Sequence, residues 1–114
     1  SIEIVYGLRN FIGNANKFSR KTVYINLKTD SEITEITIED DGQGYPKDIL
    51  SKIGEPYLRS NDPIEKSKTG LGLGLFIGKT LLEKNFALIN CRNSKTRSGA
   101  EVIVKWSNKD LFNI

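Results

Sequence analysis

The sequence predicts an α/β (α+β) domain: a long helix, a β-hairpin, a helical middle and a second pair of strands. Three observations carry that expectation. Over Ile2 to Ser19, Ile4, Val5, Leu8, Phe11, Ile12, Ala15 and Phe18 recur at three- and four-residue steps, the period of an amphipathic helix. Val23, Ile25 and Leu27 alternate within Lys21 to Lys28, and Ile36 and Ile38 within Ile33 to Glu39, so two strands meet at an Asp30-Ser31 turn. Leu71 to Lys84 returns to the helical period with Leu75, Ile77, Leu81 and Leu82 on its buried side. Phe86 to Arg92 and Glu101 to Trp106 then read as two strands around a Ser-Gly turn.

The length, 114 residues, fits one compact domain spanning 1–114. The net charge of +3 comes from scattered basic residues, densest at Arg20-Lys21 and at Lys66 with Lys68. Such a surface is solvated, and no nucleic-acid partner is expected. Cys91 is the single cysteine, so no internal disulfide can form, and its apolar approach makes it a half-buried strand residue. Histidine is absent. That excludes His-based metal sites, Ser-His and Cys-His nucleophile pairs, and a phosphorylated histidine inside this chain. The apolar stretches fall far short of a membrane span, no signal peptide is visible, and no direct membrane contact is expected of this segment. The chain begins at Ser1, directly in a helical pattern, and reads as a piece of a longer protein.

Three motifs carry chemistry. In Gly70-Leu71-Gly72-Leu73-Gly74-Leu75, glycines alternate with leucines where a loop becomes a helix. Glycine allows close backbone approach, and a helix N-terminus offers unpaired N–H groups to a phosphate chain. A close helix–sheet crossing explains the same pattern. It is neither a dinucleotide fingerprint nor a P-loop. Asp40-Asp41-Gly42-Gln43-Gly44 ends a strand. A carboxylate there can accept from an exocyclic amine, and the bland alternative is an acidic turn. An EF-hand is excluded by the missing later ligands. Pro46 then opens a short helix through about Ile53. Asn10 and Asn14 lie one helical turn apart, with Lys17 near the same face. An Asn oxygen can ligate Mg²⁺ and a Lys can reach a phosphate, although polar residues on an exposed face would look alike. From Gly54 to Gly70 there is little periodicity, and a loop of that length is usually functional or disordered.

Together and in this order, the motifs resemble the boxes of sensor histidine kinase catalytic domains, members of the GHKL superfamily. Asn10 to Ser19 is similar to the N box, Asp40 to Gly44 to the G1 box, Glu55-Pro56-Tyr57-Leu58-Arg59 to the F box and Gly70 to Leu75 to the G2 box. Ser98-Gly99-Ala100 is similar to the final glycine box. The resemblance implies the Bergerat fold, a two-layer sandwich with a mixed sheet covered on one face by about three helices. It implies ATP and Mg²⁺ as cofactors, Asn14 as the Mg²⁺ ligand and Asp40 as the partner of the adenine amine. Lys17 and Arg59 become phosphate contacts and join Asn10 and Asn14 as the catalytic set. Phe18, Gly42, Gly44, Tyr45, Tyr57, Thr69, Gly70, Leu71, Gly72, Leu73, Gly74, Leu75 and Ala100 complete the nucleotide contacts, and residues 55–72 become an ATP lid.

The implied reaction moves the γ-phosphoryl group to a histidine on a separate dimerisation and phosphotransfer domain of the same protein. A response regulator receives it from there. The implied setting is cytoplasmic, with an inner-membrane anchor in the parent left open. Ile53 to Tyr57, Leu73 to Ile77 and Ala100 with Val102 to Trp106 resemble the RegB/PrrB redox-responsive subgroup. Gly13 stands where an acidic residue is common, and Ala100 where Ser or Thr is common, so a water-bridged contact to the base is in question there. The same superfamily holds ATPases, which use a Glu one turn before the metal-binding Asn, and anti-sigma-type serine kinases. Here that position is Asn10, and an amide cannot act as a general base near neutral pH.

Overall fold

The computed structural model describes residues 1–53 and 71–113, of which 71–73 by backbone alone. Helix α1 (Ile2–Phe18) starts at Ser1, whose Oγ accepts from the Glu3 N–H at 3.2 Å. Glu3 in its first turn and Lys17 in its last complement the helix dipole. Strands β1 (Val23–Thr29) and β2 (Ile33–Asp40) form the expected hairpin. Asp30 Oδ1 fixes its turn by accepting from the Glu32 and Ile33 N–H groups, each at 2.8 Å. Helix α2 (Lys47–Ile53), helix α3 (Leu71–Lys84), strands β3 (Leu88–Asn93) and β4 (Ala100–Ser107) and the short α4 (Asn108–Leu111) follow.

The four described strands lie in the order β1-β2-β4-β3, and every pairing is antiparallel. The sheet the resemblance implied is mixed; among the described residues no parallel pair occurs. The reason is topological. The helical crossover returns β3 parallel to β2, but β4 folds back by a hairpin and inserts between them, so the two parallel strands never touch.

One sheet face is apolar and covered by helices. Ile38, Val102, Val104 and Trp106 are buried there against Phe11 and Ala15 of α1 and Leu75 and Leu82 of α3. Two expected core positions stay open instead. Ile25 and Leu27 have the right register, opposite Ile38 and Ile36, but β1 is an edge strand and they remain 55% and 64% exposed. Val5 is likewise exposed. Phe86, expected in a strand, caps α3 instead. Its φ is +72°, its N–H donates to Glu83 O and the Ala87 N–H donates to Leu82 O, the Schellman pattern that ends a helix. The unanticipated α4 is held by Asn108, which accepts from Thr34 Oγ1 at 2.6 Å and donates to Asp30 O at 2.7 Å. No helix among the described residues is long and apolar enough to cross a membrane.

Helices α1 and α3 cross at small residues. A Cβ on Gly7 would stand 2.7 Å from Leu82 Cγ, and Leu82 is fully buried and cannot swing away. Gly13, on the same helix, has open space around it. The two glycines therefore respond to alanine with opposite signs. Gly13→Ala is expected to raise unfolding stability by about 0.5–1 kcal/mol through helix propensity. Gly7→Ala is expected to lower it by about 1–3 kcal/mol through overpacking. Urea denaturation of both variants checks this, and a shift of the same sign in both would contradict the crossing.

Candidate functional site

A cavity of about 350 Å³ opens between the C-terminal half of α1, the ends of β2 and β4, and the turn that leaves β2. Its walls include Asn14, Lys17, Phe18, Asp40, Gly42, Gly44, Tyr45 and Ala100. These eight come from three sequence-separated motifs, and the fold brings them to one place. Asn10 does not line the cavity; its amide donates to Tyr6 O at 2.8 Å, one turn back on α1. Leu75 is a core residue, 2% exposed. Leu71, Gly72 and Leu73 form the first turn of α3. Tyr57, Arg59, Thr69 and Gly70, with nearly all of the 55–72 segment, lie outside the described residues.

The two aspartates of the Asp40-Asp41 pair have different work. Asp40 is buried, and its Oδ1 accepts from the Gly42 N–H at 2.8 Å and the Ala100 N–H at 3.3 Å. No donor among the described residues meets Oδ2. One oxygen is thus fixed by the backbone while the other is available to a ligand donor in the cavity. Asp41 turns away and collects the Arg20, Lys21 and Thr22 N–H groups at 2.8 to 3.3 Å, closing the α1–β1 turn. These backbone donors, Lys21 foremost, hold its carboxyl below the usual aspartate range.

Close approach explains the glycines. A Cβ on Gly42 would collide with the Phe18 carbonyl oxygen, so this turn packs directly on the end of α1. Gly44 has a φ of +83°, in the left-handed region. A Cβ on Gly74 would stand 2.8 Å from both Nδ2 and Oδ1 of Asn14, so the start of α3 presses on that amide.

Asn14 Nδ2 is buried without a hydrogen-bond partner among the described residues. An amide left so costs about 1–3 kcal/mol, and a half-turn of the side chain exchanges its O and N. An oxygen in that position, beside Lys17 and a helix N-terminus, fits a hydrated divalent cation carrying phosphate oxygens. The residues present therefore suit Mg²⁺ with a nucleotide phosphate chain. The described residues hold no cluster of three or more His, Cys, Asp or Glu that would bind a metal unaided.

Phe11, Ala15, Ile38 and Val102 also line the cavity and were not among the sequence candidates. The periodicity contained them. Phe11 and Ala15 share one face of α1, and Ile38 sits two residues before Asp40 and pairs with Val102, two after Ala100. They form an apolar floor with Asp40 at its edge, which suits a flat base with one polar handle.

Comparison with known proteins decides the family. The model of the histidine kinase-, DNA gyrase B- and HSP90-like ATPases matches residues 1–110. The chain belongs to this family. Sensor histidine kinase RegB of Cereibacter sphaeroides is 40% identical across 91% of the chain, and the chain spans 26% of RegB's length. Two solved structures share the fold. The mycobacterial sensor histidine kinase MprB superposes with a TM-score of 0.66 at 24% identity, covering 90% of this chain and 70% of that one. Full-length ShkA in complex with AMPPNP superposes with a TM-score of 0.64 at 23% identity, covering 91% and 21%. The domain is thus a histidine-kinase-type ATPase domain with the two-layer α/β architecture of that family.

Two titratable groups yield predictions. Burial pushes the Cys91 thiol up to about 12, with Lys79 acting against it and Glu83 with it, so little thiolate forms near neutral pH. Iodoacetamide at pH 8 is expected to leave Cys91 of the folded domain unmodified and to alkylate it in urea. Fast labelling of the folded protein would contradict the burial. The Asp41 carboxyl is lowered on folding, so its stabilisation is complete above the usual aspartate range. It is lost as pH falls through the depressed folded-state value. Asp41→Asn is expected to be less stable than the parent at neutral pH, with the gap closing in acid. Urea midpoints at both pH values test this, and a gap independent of pH would contradict it.

Proposed function

We propose that this domain binds Mg-ATP in the cavity and donates its γ-phosphoryl group to a histidine on a separate dimerisation and phosphotransfer domain. The observation that carries the reading is the convergence of Asn14, Lys17 and Asp40 on one apolar-floored cavity. Asp40 Oδ2 would take the adenine amine. Asn14 would supply an oxygen to Mg²⁺, and Lys17 would face the phosphates. The metal, when bound, neutralises phosphate charge and orients the chain. In the transfer, an imidazole nitrogen of the acceptor forms a bond to the γ-phosphorus while the bond to the β–γ bridging oxygen breaks, leaving ADP. The protein's share is positioning and charge compensation, because imidazole is itself a competent nucleophile.

Asp40 is the only carboxylate among the described lining residues, and it is tied to the backbone. With an amide at position 10, no described group is placed to activate water, which favours transfer to histidine over ATP hydrolysis. The chain contains no histidine, so the acceptor is supplied from elsewhere in the protein, and a response regulator takes the phosphoryl group onward. Residues 55–72, with Arg59 and Tyr57, are assigned the lid and further phosphate contacts on their resemblance to the family boxes. A cytoplasmic setting follows from the need for ATP.

Calorimetry with ADP and Mg²⁺ tests the site. The parent domain is expected to bind, and the isolated chain incubated with labelled ATP is expected to stay unlabelled. Asn14→Ala is expected to remove the Mg²⁺ dependence of binding, and Asp40→Asn to weaken ADP relative to GDP. A flat titration at millimolar ADP, or an Asp40→Asn variant with the parent's preference between the two bases, would contradict the assignment.

A further inference from the structure

The segment Gly42 to Pro46 forms one wall of the cavity. Asp40 and the Ser98 Oγ, which donates to Gly42 O at 3.3 Å, hold one end of it. The other end is held by a residue outside the cavity. The Tyr45 N–H donates to Asn93 Oδ1 at 2.6 Å, and Asn93 Nδ2 donates back to Tyr45 O at 3.2 Å. The Asn93 side chain thus takes both backbone groups of Tyr45, as a neighbouring strand would. It also determines Gly44, because a Cβ there would stand 2.7 Å from Asn93 Oδ1. Asn93 itself is the last residue of β3 and pairs with Ala100, which also lines the cavity. The Tyr45 ring is buried beneath the wall, and burial pushes its phenol upward, with Cys91 and Asp40 adding to this. The side chain therefore stays neutral and acts as an apolar anchor.

We propose that Asn93 is a positioning residue for base recognition: its two hydrogen bonds to Tyr45 fix the 42–46 wall beside Asp40 and Ala100, where an adenine ring would lie against it. This rests on the nucleotide reading above. Asn93 touches no ligand in this scheme. Without it the Tyr45 backbone loses both tethers and is held only through its buried ring, and the base side of the site loosens while Asn14 and Lys17, on α1, keep their places.

The test compares Asn93→Ala with the parent by calorimetry, using ADP and GDP with Mg²⁺, and by thermal melting. ADP affinity is expected to fall about tenfold, with GDP affinity little changed, so the preference between bases narrows. Asn93→Asp keeps an acceptor for the Tyr45 N–H and loses the donor for its carbonyl. It is expected to fall between the two and carries the same test if the alanine variant does not fold. A parent that binds no ADP removes the nucleotide reading and this inference with it. A parent that binds ADP, beside variants with unchanged affinity or with equal losses for both nucleotides, overturns the role of Asn93 alone.

Discussion

The buried carboxylate of Asp40 is the constraint around which the site is arranged. A charged group removed from water must be hydrogen-bonded or it destabilises the fold. Here the Gly42 and Ala100 N–H groups meet one oxygen. Those donors come from the turn leaving β2 and from the first residue of β4, so the carboxylate ties the two central strands together at the cavity edge. Gly99 must be glycine for the same reason, since a Cβ there would collide with Asp40. The second oxygen keeps its acceptor capacity, and the fold thereby holds one oriented acceptor over an apolar floor.

The phosphate side follows a different logic. Helix α3 begins against α1, and Gly74 lets its backbone reach the Asn14 amide. A glycine inside a helix is costly by propensity, and at position 74 the contact accounts for it. The same close packing recurs earlier on α1, one turn back where Gly78 faces Phe11 and two turns back where Gly7 meets Leu82. One helix pair therefore supplies both a core contact and the geometry of the candidate metal ligand.

Much of this was legible in the residues. The element order up to β4 and the span of α3 follow from periodicity, and the grouping of Asn14, Lys17, Asp40 and Ala100 from the resemblance of the ordered motifs to the family boxes. Other features could not be read locally. Edge exposure of Ile25 and Leu27 depends on which strand ends the sheet, and alternation alone carries no such information. The helix cap at Phe86 uses a left-handed residue that is ordinarily glycine, so the sequence shows a strand-like aromatic there. Asp40 and Asp41 are adjacent and chemically identical; only the direction each faces gives one to the cavity and the other to the α1–β1 turn. The bonds from Asn93 to Tyr45 span 48 positions and leave no local signature.

The central claim is that Asp40 and Asn14 serve one ligand in one cavity. The most direct measurement is a nuclear magnetic resonance titration of the ¹⁵N-labelled domain with ADP, without and then with Mg²⁺. The account predicts that the Gly42 and Ala100 backbone amides shift with ADP, and that the Asn14 side-chain amide shifts along the same saturation curve once Mg²⁺ is present. Gly42 and Ala100 resonances that stay fixed while others saturate, or an Asn14 response with a separate midpoint, would contradict it.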